Sequence, residues 1–343
     1  MRCGRAARTV NNSKFKIQNS KLFRAKLIAW FRCDGRDLPW RHTTDPYAIM
    51  VSEFMLQQTQ VATVIPFYQR WLARLPDFAT LAAAEESEVL SIWQGLGYYS
   101  RARNLHRAAR EVMTRFDGTL PDDPAIIATL PGIGRYTAGA VTAFAFDRAV
   151  ATIDGNIARV LARLLDLREP IDAKHGSEIL WQAAEALRPR RSGRLYTSAL
   201  MELGALVCTP RKPQCLICPV RAHCAATAPE SLPVKRPRAK TVVLHEPCAW
   251  IRDGVRVLLE QQTGPRWRGL WKLPALAKAS RTAPQLELTY PFTHHRVTLR
   301  VFPQQQPRQL AAHQAWINTA DLADLALTAP HRRAIERLLA APC

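Results

Sequence analysis

A mainly α-helical protein followed by a smaller α+β module is what this chain of 343 residues predicts. Three observations predict it. Apolar residues recur at three- and four-residue steps through the first two thirds of the chain, a proline-bearing basic stretch at 229–241 interrupts them, and beyond it the apolar period falls to two.

In order, residues 1–20 carry Arg2, Arg5, Arg8, Lys14 and Lys16 with no acid and little periodicity, and read as a disordered basic tail. From Lys21 a helical stripe begins with Leu22, Phe23, Leu27, Ile28, Trp30 and Phe31. Further helical patterns cover 52–75, 86–93, 101–115, 124–129, 135–147, 155–166, 175–187 and 194–207, separated by short polar or glycine-bearing turns. Residues 21–228 therefore read as one helical domain. The stretch 229–241, with prolines and Lys235, Arg236, Arg238 and Lys240, reads as a linker. In the second domain, 242–343, residues 241–251, a turn at Asp253 and Gly254, and 255–259 predict a β-hairpin. The alternating run 297–302 predicts another strand, and 330–339 a closing helix.

Composition narrows the function classes. A hydrophobic content of 48% suits a globular protein, and the chain is longer than one ordinary core, which agrees with two domains. Apolar runs are short and broken by charge, so neither a membrane span nor a secretory signal is expected. Cys3, Cys33, Cys248 and Cys343 are scattered without pairing logic and fit free thiols in a reducing, cytoplasmic setting. With 48 Lys+Arg against 28 Asp+Glu, the net charge of +20 attracts polyanions such as nucleic acid, although a well-solvated basic surface would carry the same excess.

Cys208, Cys215, Cys218 and Cys224 are separated by gaps of six, two and five residues, a spacing that wraps one metal centre. Four thiolates serve a four-iron cluster. They also suit tetrahedral zinc, and disulfide pairing is the plainer alternative.

Four other segments carry candidate chemistry. Gly132 and Gly134 form a two-glycine turn between helical segments. Such a turn aims backbone N–H groups at a phosphate, or simply joins two helices. Glu53 stands among Val51, Phe54, Met55 and Leu56. Burial there would raise its pKa into the range of a proton donor, whereas a place in a first helical turn would lower it. Asp154 precedes the helical run from Ile157 as an N-cap, and in that position also suits a carboxylate facing a reacting sugar. Tyr98 and Tyr99 beside Arg101 and Arg103 fit aromatic wedges with phosphate-holding cations, or core tyrosines flanked by solvated arginines.

Six segments in register resemble the adenine DNA glycosylases of the MutY family, within the helix-hairpin-helix superfamily. They are 38–41 (LPWR), 52–61 (SEFMLQQTQV), 95–105 (GLGYYSRARNL), 130–140 (LPGIGRYTAGA), 154–156 (DGN) and the cysteine set. The resemblance covers about residues 21–343. It implies a helix-hairpin-helix glycosylase domain with a [4Fe-4S] cluster on the four cysteines, joined to a Nudix-like C-terminal domain. It implies base excision from double-stranded DNA bearing A:8-oxoguanine or A:G mispairs, performed by a monomer in the cytoplasm, nucleoid-associated.

By that resemblance Glu53 protonates the leaving adenine at N7 and Asp154 steadies the oxocarbenium-like sugar, with Asn156 and Tyr136 orienting and shielding the pair. Gln58 and Tyr98 look like the residues that invade the duplex, and Trp40 and Arg41 like lining for the adenine pocket. Gly132 and Gly134 become the DNA-contacting hairpin, and the cluster loop presents Arg211, Lys212 and Arg221 to phosphates. Relatives with lyase activity carry a lysine where this chain has Tyr136, and a phenol forms no Schiff base, so monofunctional excision is expected. Phe292, Thr293 and His294 stand where the family reads 8-oxoguanine with Phe-Ser-His, threonine keeping the hydroxyl. Ser198 replaces a longer side chain common in the family. Acids in 242–343 are too sparse for a magnesium-dependent pyrophosphohydrolase. An iron–sulfur lyase acting on oxidised pyrimidines and a non-catalytic lesion sensor are the rival readings.

Overall fold

The computed structural model describes residues 19–237, 240–264, 267–278 and 282–341. Residues 1–18 of the expected tail, with Cys3, and the terminal Cys343 lie outside the described residues. The chain divides into two compact units. One comprises the chain up to Glu53 with Leu120–Pro237, the other Phe54–Thr119 with the chain after Pro237.

The first unit is helical. Its elements are α1 (Ser20–Asp34), most of α2 (Pro46–Leu56), α7 (Pro124–Ile127), α8 (Arg135–Phe146), α9 (Gly155–Leu164), α10 (Lys174–Leu187) and α11 (Gly193–Leu206). Their apolar stripes meet in one core: Phe23 and Leu27 of α1, Ile157, Val160 and Leu161 of α9, Leu180 of α10, and Leu200 and Leu203 of α11 are buried together. Each such side chain contributes roughly 1.5–3 kcal/mol of hydrophobic stabilisation. Cys208, Cys218 and Cys224 pack against this same core, so the loop that follows α11 is anchored to it.

The second unit contains α3 (Val61–Arg74), α4 (Phe78–Ala83), α5 (Glu86–Trp93) and α6 (Ser100–Phe116). It also holds seven strands among the described residues: β1 (Val242–Trp250), β2 (Arg252–Asp253), β3 (Arg256–Gln261), β4 (Trp271–Lys272), β5 (Leu286–Phe292), β6 (His295–Pro303) and β7 (Gln314–Asn318), closed by α12 (Ala329–Ala340). One sheet has the order β1-β6-β5, with β1 parallel and β5 antiparallel to β6. In the other, β3 pairs antiparallel with β2, β4 and β7. No helix among the described residues is long and apolar enough to cross a membrane.

Four expectations change. The single helix over 52–75 is two helices, because the polar run Gln57, Gln58, Thr59, Gln60 offers no apolar anchor and Gln58 turns left-handed at φ 59°. Helix α2 starts earlier, at Pro46, where Asp45 Oδ1 accepts the Tyr47 N–H at 3.0 Å. Helix α4 went unread; Asp77 caps it by accepting from the Thr80 N–H at 2.7 Å. The predicted hairpin survives only as the short pair β2–β3, since the long strand β1 leaves it to pair in parallel with β6. Local alternation shows that a strand forms, but its partner is chosen by contacts distant in sequence.

Candidate active site and iron–sulfur loop

Helix α2 carries Glu53 in its C-terminal half, beside the buried Val51, Phe54 and Met55, and Glu53 is 3% exposed. Because the helix begins at Pro46, Glu53 lies outside the first turn, and the helix dipole does not lower its pKa. Burial raises it instead. The hydrogen bond from Tyr136 opposes that shift and the nearby Asp154 charge adds to it, leaving the Glu53 pKa at about 7.

Tyr136 is the second residue of α8, just past the two-glycine turn. Gly132 adopts φ 75°, Gly134 is the N-cap of α8, and both are exposed, while the Ile133 N–H between them closes the turn on the Leu130 carbonyl at 3.2 Å. The Tyr136 hydroxyl donates to Glu53 Oε2 at 2.7 Å. Burial, with the Glu53 and Asp154 charges, holds the Tyr136 pKa well above its ordinary value, so the phenol keeps its proton and acts as a donor.

Asp154 takes the N-cap role open to it in the sequence. It is the N-cap of α9, where Oδ1 accepts the Ile157 N–H at 2.7 Å and Oδ2 accepts from Asn156 Nδ2 at 2.8 Å. Its charge is felt by both Glu53 and Tyr136. Burial pushes its own pKa up, against the backbone bonds to Ile157 and Asn156, the Asn156 amide and the Arg159 charge. Helix α11 makes room for this corner at Gly204, where a Cβ would stand 2.6 Å from the Asn156 Cβ. Four predicted residues, Glu53, Tyr136, Asp154 and Asn156, are thus brought together in one unit.

Trp40 and Arg41 belong to the same unit and form a 3-10 turn, half-buried. Arg41 lies over the Phe31 ring at 4.9 Å, and its Nη2 donates to Glu202 Oε2 at 2.8 Å. Glu202 is buried and also receives Arg36 Nε at 2.7 Å. Burial alone would raise Glu202; the arginines outweigh it and hold its pkA down to about 2. Ser198 is 8% exposed within α11.

The other predicted residues lie in the second unit. Gln58 and Tyr98 sit at exposed turns in left-handed conformation, with φ 59° and 48°. Phe292, Thr293 and His294 close the β5–β6 hairpin, Thr293 at φ 52°, and the Thr293 hydroxyl is 3.3 Å from His295 Nδ1. A cavity of about 470 Å³ in this unit is lined by Tyr98, Arg103, Trp267, Tyr290, Phe292 and Thr293, among others.

The cluster loop follows α11 directly. None of its four cysteines is in a disulfide, which removes that reading. Their sulfurs affect one another electrostatically, so they face a shared centre. Among the described residues, the only three potential metal ligands with atoms all within 4.8 Å of one another are Glu246, Cys248 and His331. Four facing thiolates are the donor set that a four-iron cluster takes. Arg211, Lys212 and Arg221 of this loop are exposed.

Sequence reasoning missed the arginines that support this loop. Arg163, 1% exposed, donates to the carbonyls of Cys208, Thr209, Pro210, Pro229 and Leu232 at 2.7–3.2 Å and to Cys208 Sγ at 3.2 Å. Arg159, one turn earlier, bonds the Cys208 carbonyl at 2.7 Å and Asn156 Oδ1 at 2.8 Å, tying the loop to the partner of Asp154. The available signal was their place, four residues apart, within the apolar run of α9.

Comparisons with known proteins bear on the family. A family described as "HhH-GPD superfamily base excision DNA repair protein" matches residues 51–186, and one described as "Iron-sulfur binding domain of endonuclease III" matches 208–224, making the four cysteines an iron–sulfur site. The chain is 44% identical over 214 residues to the adenine DNA glycosylase of Mus musculus, a match covering 60% of this chain and 41% of that protein. The chain thus spans about two fifths of the length of this mammalian relative. It is 30% identical over 259 residues to the adenine DNA glycosylase of Buchnera aphidicola subsp. Schizaphis graminum, covering 74% of each. Among solved structures, a thermostable thymine-DNA glycosylase matches with a TM-score of 0.55 at 31% identity, covering 62% of this chain and 96% of that one. Similar in sequence over three quarters of the Buchnera protein, and carrying the iron–sulfur domain at 208–224, the chain belongs to the adenine DNA glycosylase family.

Proposed function

We propose that the protein is a monofunctional DNA glycosylase that hydrolyses the N-glycosidic bond of adenine mispaired with 8-oxoguanine or guanine. The observation that carries this reading is the Glu53 carboxyl, buried, hydrogen-bonded by Tyr136, with a pKa of about 7 and Asp154 close by. A carboxyl poised at that pH holds a proton it can give up, while nearby Asp154, held by Asn156 and the Ile157 N–H, serves as the anion.

In this reaction Glu53 transfers its proton to adenine N7 as the C1′–N9 bond breaks, and the departing base takes the bonding pair. Asp154 stabilises the positive charge that develops on the sugar, with Asn156 holding the carboxylate in place. Water adds to C1′, and its proton restores Glu53. The target nucleotide must first leave the stack, a step costing a few kcal/mol that mispairing reduces. Gln58 and Tyr98 enter the duplex in its place, Trp40 and Arg41 line the adenine pocket, and Gly132 and Gly134 hold the backbone. Tyr136 offers no amine, so no Schiff base forms and the strand stays intact.

Opposite the adenine, Phe292, Thr293 and His294 read 8-oxoguanine from the hairpin turn of a Nudix-like domain. Tyr98 and Thr293 line one cavity, which supports this assignment. The cluster staples the loop that offers Arg211, Lys212 and Arg221 to phosphates. The protein works as a monomer on cytoplasmic, nucleoid DNA.

The test is a duplex oligonucleotide with adenine opposite 8-oxoguanine, comparing the wild type with Glu53→Gln. Release by the wild type, and lost release with retained binding in the variant, is the expected result. Unchanged release by Glu53→Gln would sink the acid assignment, and strand nicking in step with base release would sink monofunctionality.

A further inference from the structure

Arg101 stands in the first turn of α6, 6% exposed, and its guanidinium joins two loops. Nη1 donates to the carbonyls of Phe54 at 3.0 Å, Met55 at 2.8 Å and Gln57, all on the segment that leads to Gln58. Nη2 donates to the Thr59 hydroxyl at 3.1 Å, on the far side of Gln58, and to the carbonyls of Leu96 at 3.1 Å and Gly97 at 3.2 Å, which lead to Tyr98. The same group lies 5.3 Å from the Tyr98 ring and 5.3 Å from the Trp93 ring. No carboxylate is among these partners. A buried cation balanced by carbonyl dipoles from two loops fixes where both loops sit, because either one moving away strands the charge.

Both loop apices are non-glycine residues in left-handed conformation, a state that costs of order 1–2 kcal/mol each and persists only where the surroundings enforce it. We propose that Arg101 is a positioning residue that locks Gln58 and Tyr98 into one rigid wedge, so that duplex opening does not have to order either loop. This rests on the reading that these two side chains enter DNA. The planar fork is essential to it: a lysine has one nitrogen, which cannot reach the carbonyls of both loops with the same geometry.

The experiment uses the full chain with its cluster, comparing wild type, Arg101→Lys and Arg101→Gln on two substrates. In one, adenine is paired opposite 8-oxoguanine; in the other, the adenine lies in an unpaired bubble that needs no wedge. Extrusion is followed by 2-aminopurine fluorescence at the target position. Extrusion and single-turnover release from the paired duplex should fall at least tenfold in both variants, while release from the bubble falls less than threefold. Equal losses on both substrates, or none, would overturn the proposal. Thr59→Val removes a single anchor and should slow extrusion about threefold; if the arginine variants do not fold, an unchanged rate in Thr59→Val overturns it instead. Failure of the wild type to release adenine from either substrate would count against the functional reading alone. The clamp is then read in the free protein by hydrogen exchange, where Arg101→Lys should accelerate exchange in 56–60 and 95–99 together, and acceleration in neither loop overturns it.

Discussion

The Tyr136 hydroxyl donates to Glu53 Oε2 at 2.7 Å, and this bond is the main influence that restrains the carboxyl from a still higher pKa. Removing it has a definite sign. In Tyr136→Phe the protonated form of Glu53 loses a competitor, so the pKa rises. A reaction that needs protonated Glu53 declines as pH climbs through about 7 in the wild type. In Tyr136→Phe the decline should move up by about one to two pH units, the worth of a hydrogen bond to a charged group, while the plateau rate falls. Single-turnover rates from pH 5 to 9 check this, and an unmoved limb would count against Glu53 as the titrating acid.

Glu53 also makes stability depend on pH. Its folded pKa of about 7 lies above the ordinary 4.5, so the folded state holds the proton more tightly. The resulting stabilisation is fully present below 4.5 and is lost as pH rises through 7, a change on the order of 3 kcal/mol. Glu53→Gln cannot ionise. It should therefore match the wild type near pH 4.5 and exceed it above pH 7, as denaturant titration at the two pH values would reveal.

The helices, and the residues that gather around Glu53, were largely legible because both are written locally. Apolar steps marked α5, α6 and α8 to within a residue or two, and Asp154 announced itself as a cap before Ile157. Glu53 remained ambiguous until the start of α2 was known, since the same carboxyl is stabilised at a helix N-terminus and neutralised inside a core. What escaped was non-local. The partner of β1, the joining of Cys208 to Asn156 through Arg159, and the carbonyls gathered by Arg101 and Arg163 bring together residues dozens of positions apart. An arginine in an apolar stripe looks like a flaw in the pattern until its acceptors are seen.

Arg163 saturates the cluster loop with hydrogen bonds, so its removal should release the loop before it unfolds the unit. In Arg163→Met the carbonyls of Thr209, Pro210, Pro229 and Leu232 and one cysteine sulfur lose their Arg163 donor, and an acceptor left buried and unpaired, as at Leu232, costs roughly 1–3 kcal/mol. The variant should purify with less than half the wild-type iron and sulfide and lose visible charge-transfer absorbance. Stoichiometric zinc in anaerobically prepared wild type would refute the cluster itself.

Thr293 keeps the hydroxyl of the family's serine and adds a methyl group, in a left-handed position where β-branching is strained. Thr293→Ser should relieve that strain and preserve the hydroxyl, leaving preference for 8-oxoguanine over guanine equal or higher. Thr293→Ala removes the hydroxyl and should narrow the preference by about fivefold, the worth of one neutral hydrogen bond. Ratios of single-turnover rates on the two mispairs decide it; a preference untouched by alanine would assign the reading to other residues.

Glu246, Cys248 and His331 come close enough to suggest a metal site in the second unit, but their hydrogen bonds oppose one. The Leu273 N–H donates to His331 Nδ1 at 3.2 Å, leaving the ring proton on Nε2, which faces Glu246 Oε1 at 3.5 Å. Lys272 Nζ sits 3.8 Å from the same oxygen and 3.3 Å from Glu260, placing a positive charge where a cation would bind. Burial pushes the Glu246 carboxyl up. The His331 and Tyr290 bonds and the Lys272 charge outweigh that and hold its pKa down to about 2. A depressed pKa stabilises the fold above 4.5, and the benefit is lost as pH falls toward 2, on the order of 3 kcal/mol in all. Glu246→Gln should therefore destabilise this unit at pH 7 and bring its stability closer to the wild type at pH 3. Zinc or manganese added to the wild type should leave its unfolding midpoint unchanged, because a ligand bound to the native state would raise it by mass action. A midpoint that climbs with metal concentration, and stops climbing in Glu246→Gln, would show that the three residues do bind a cation.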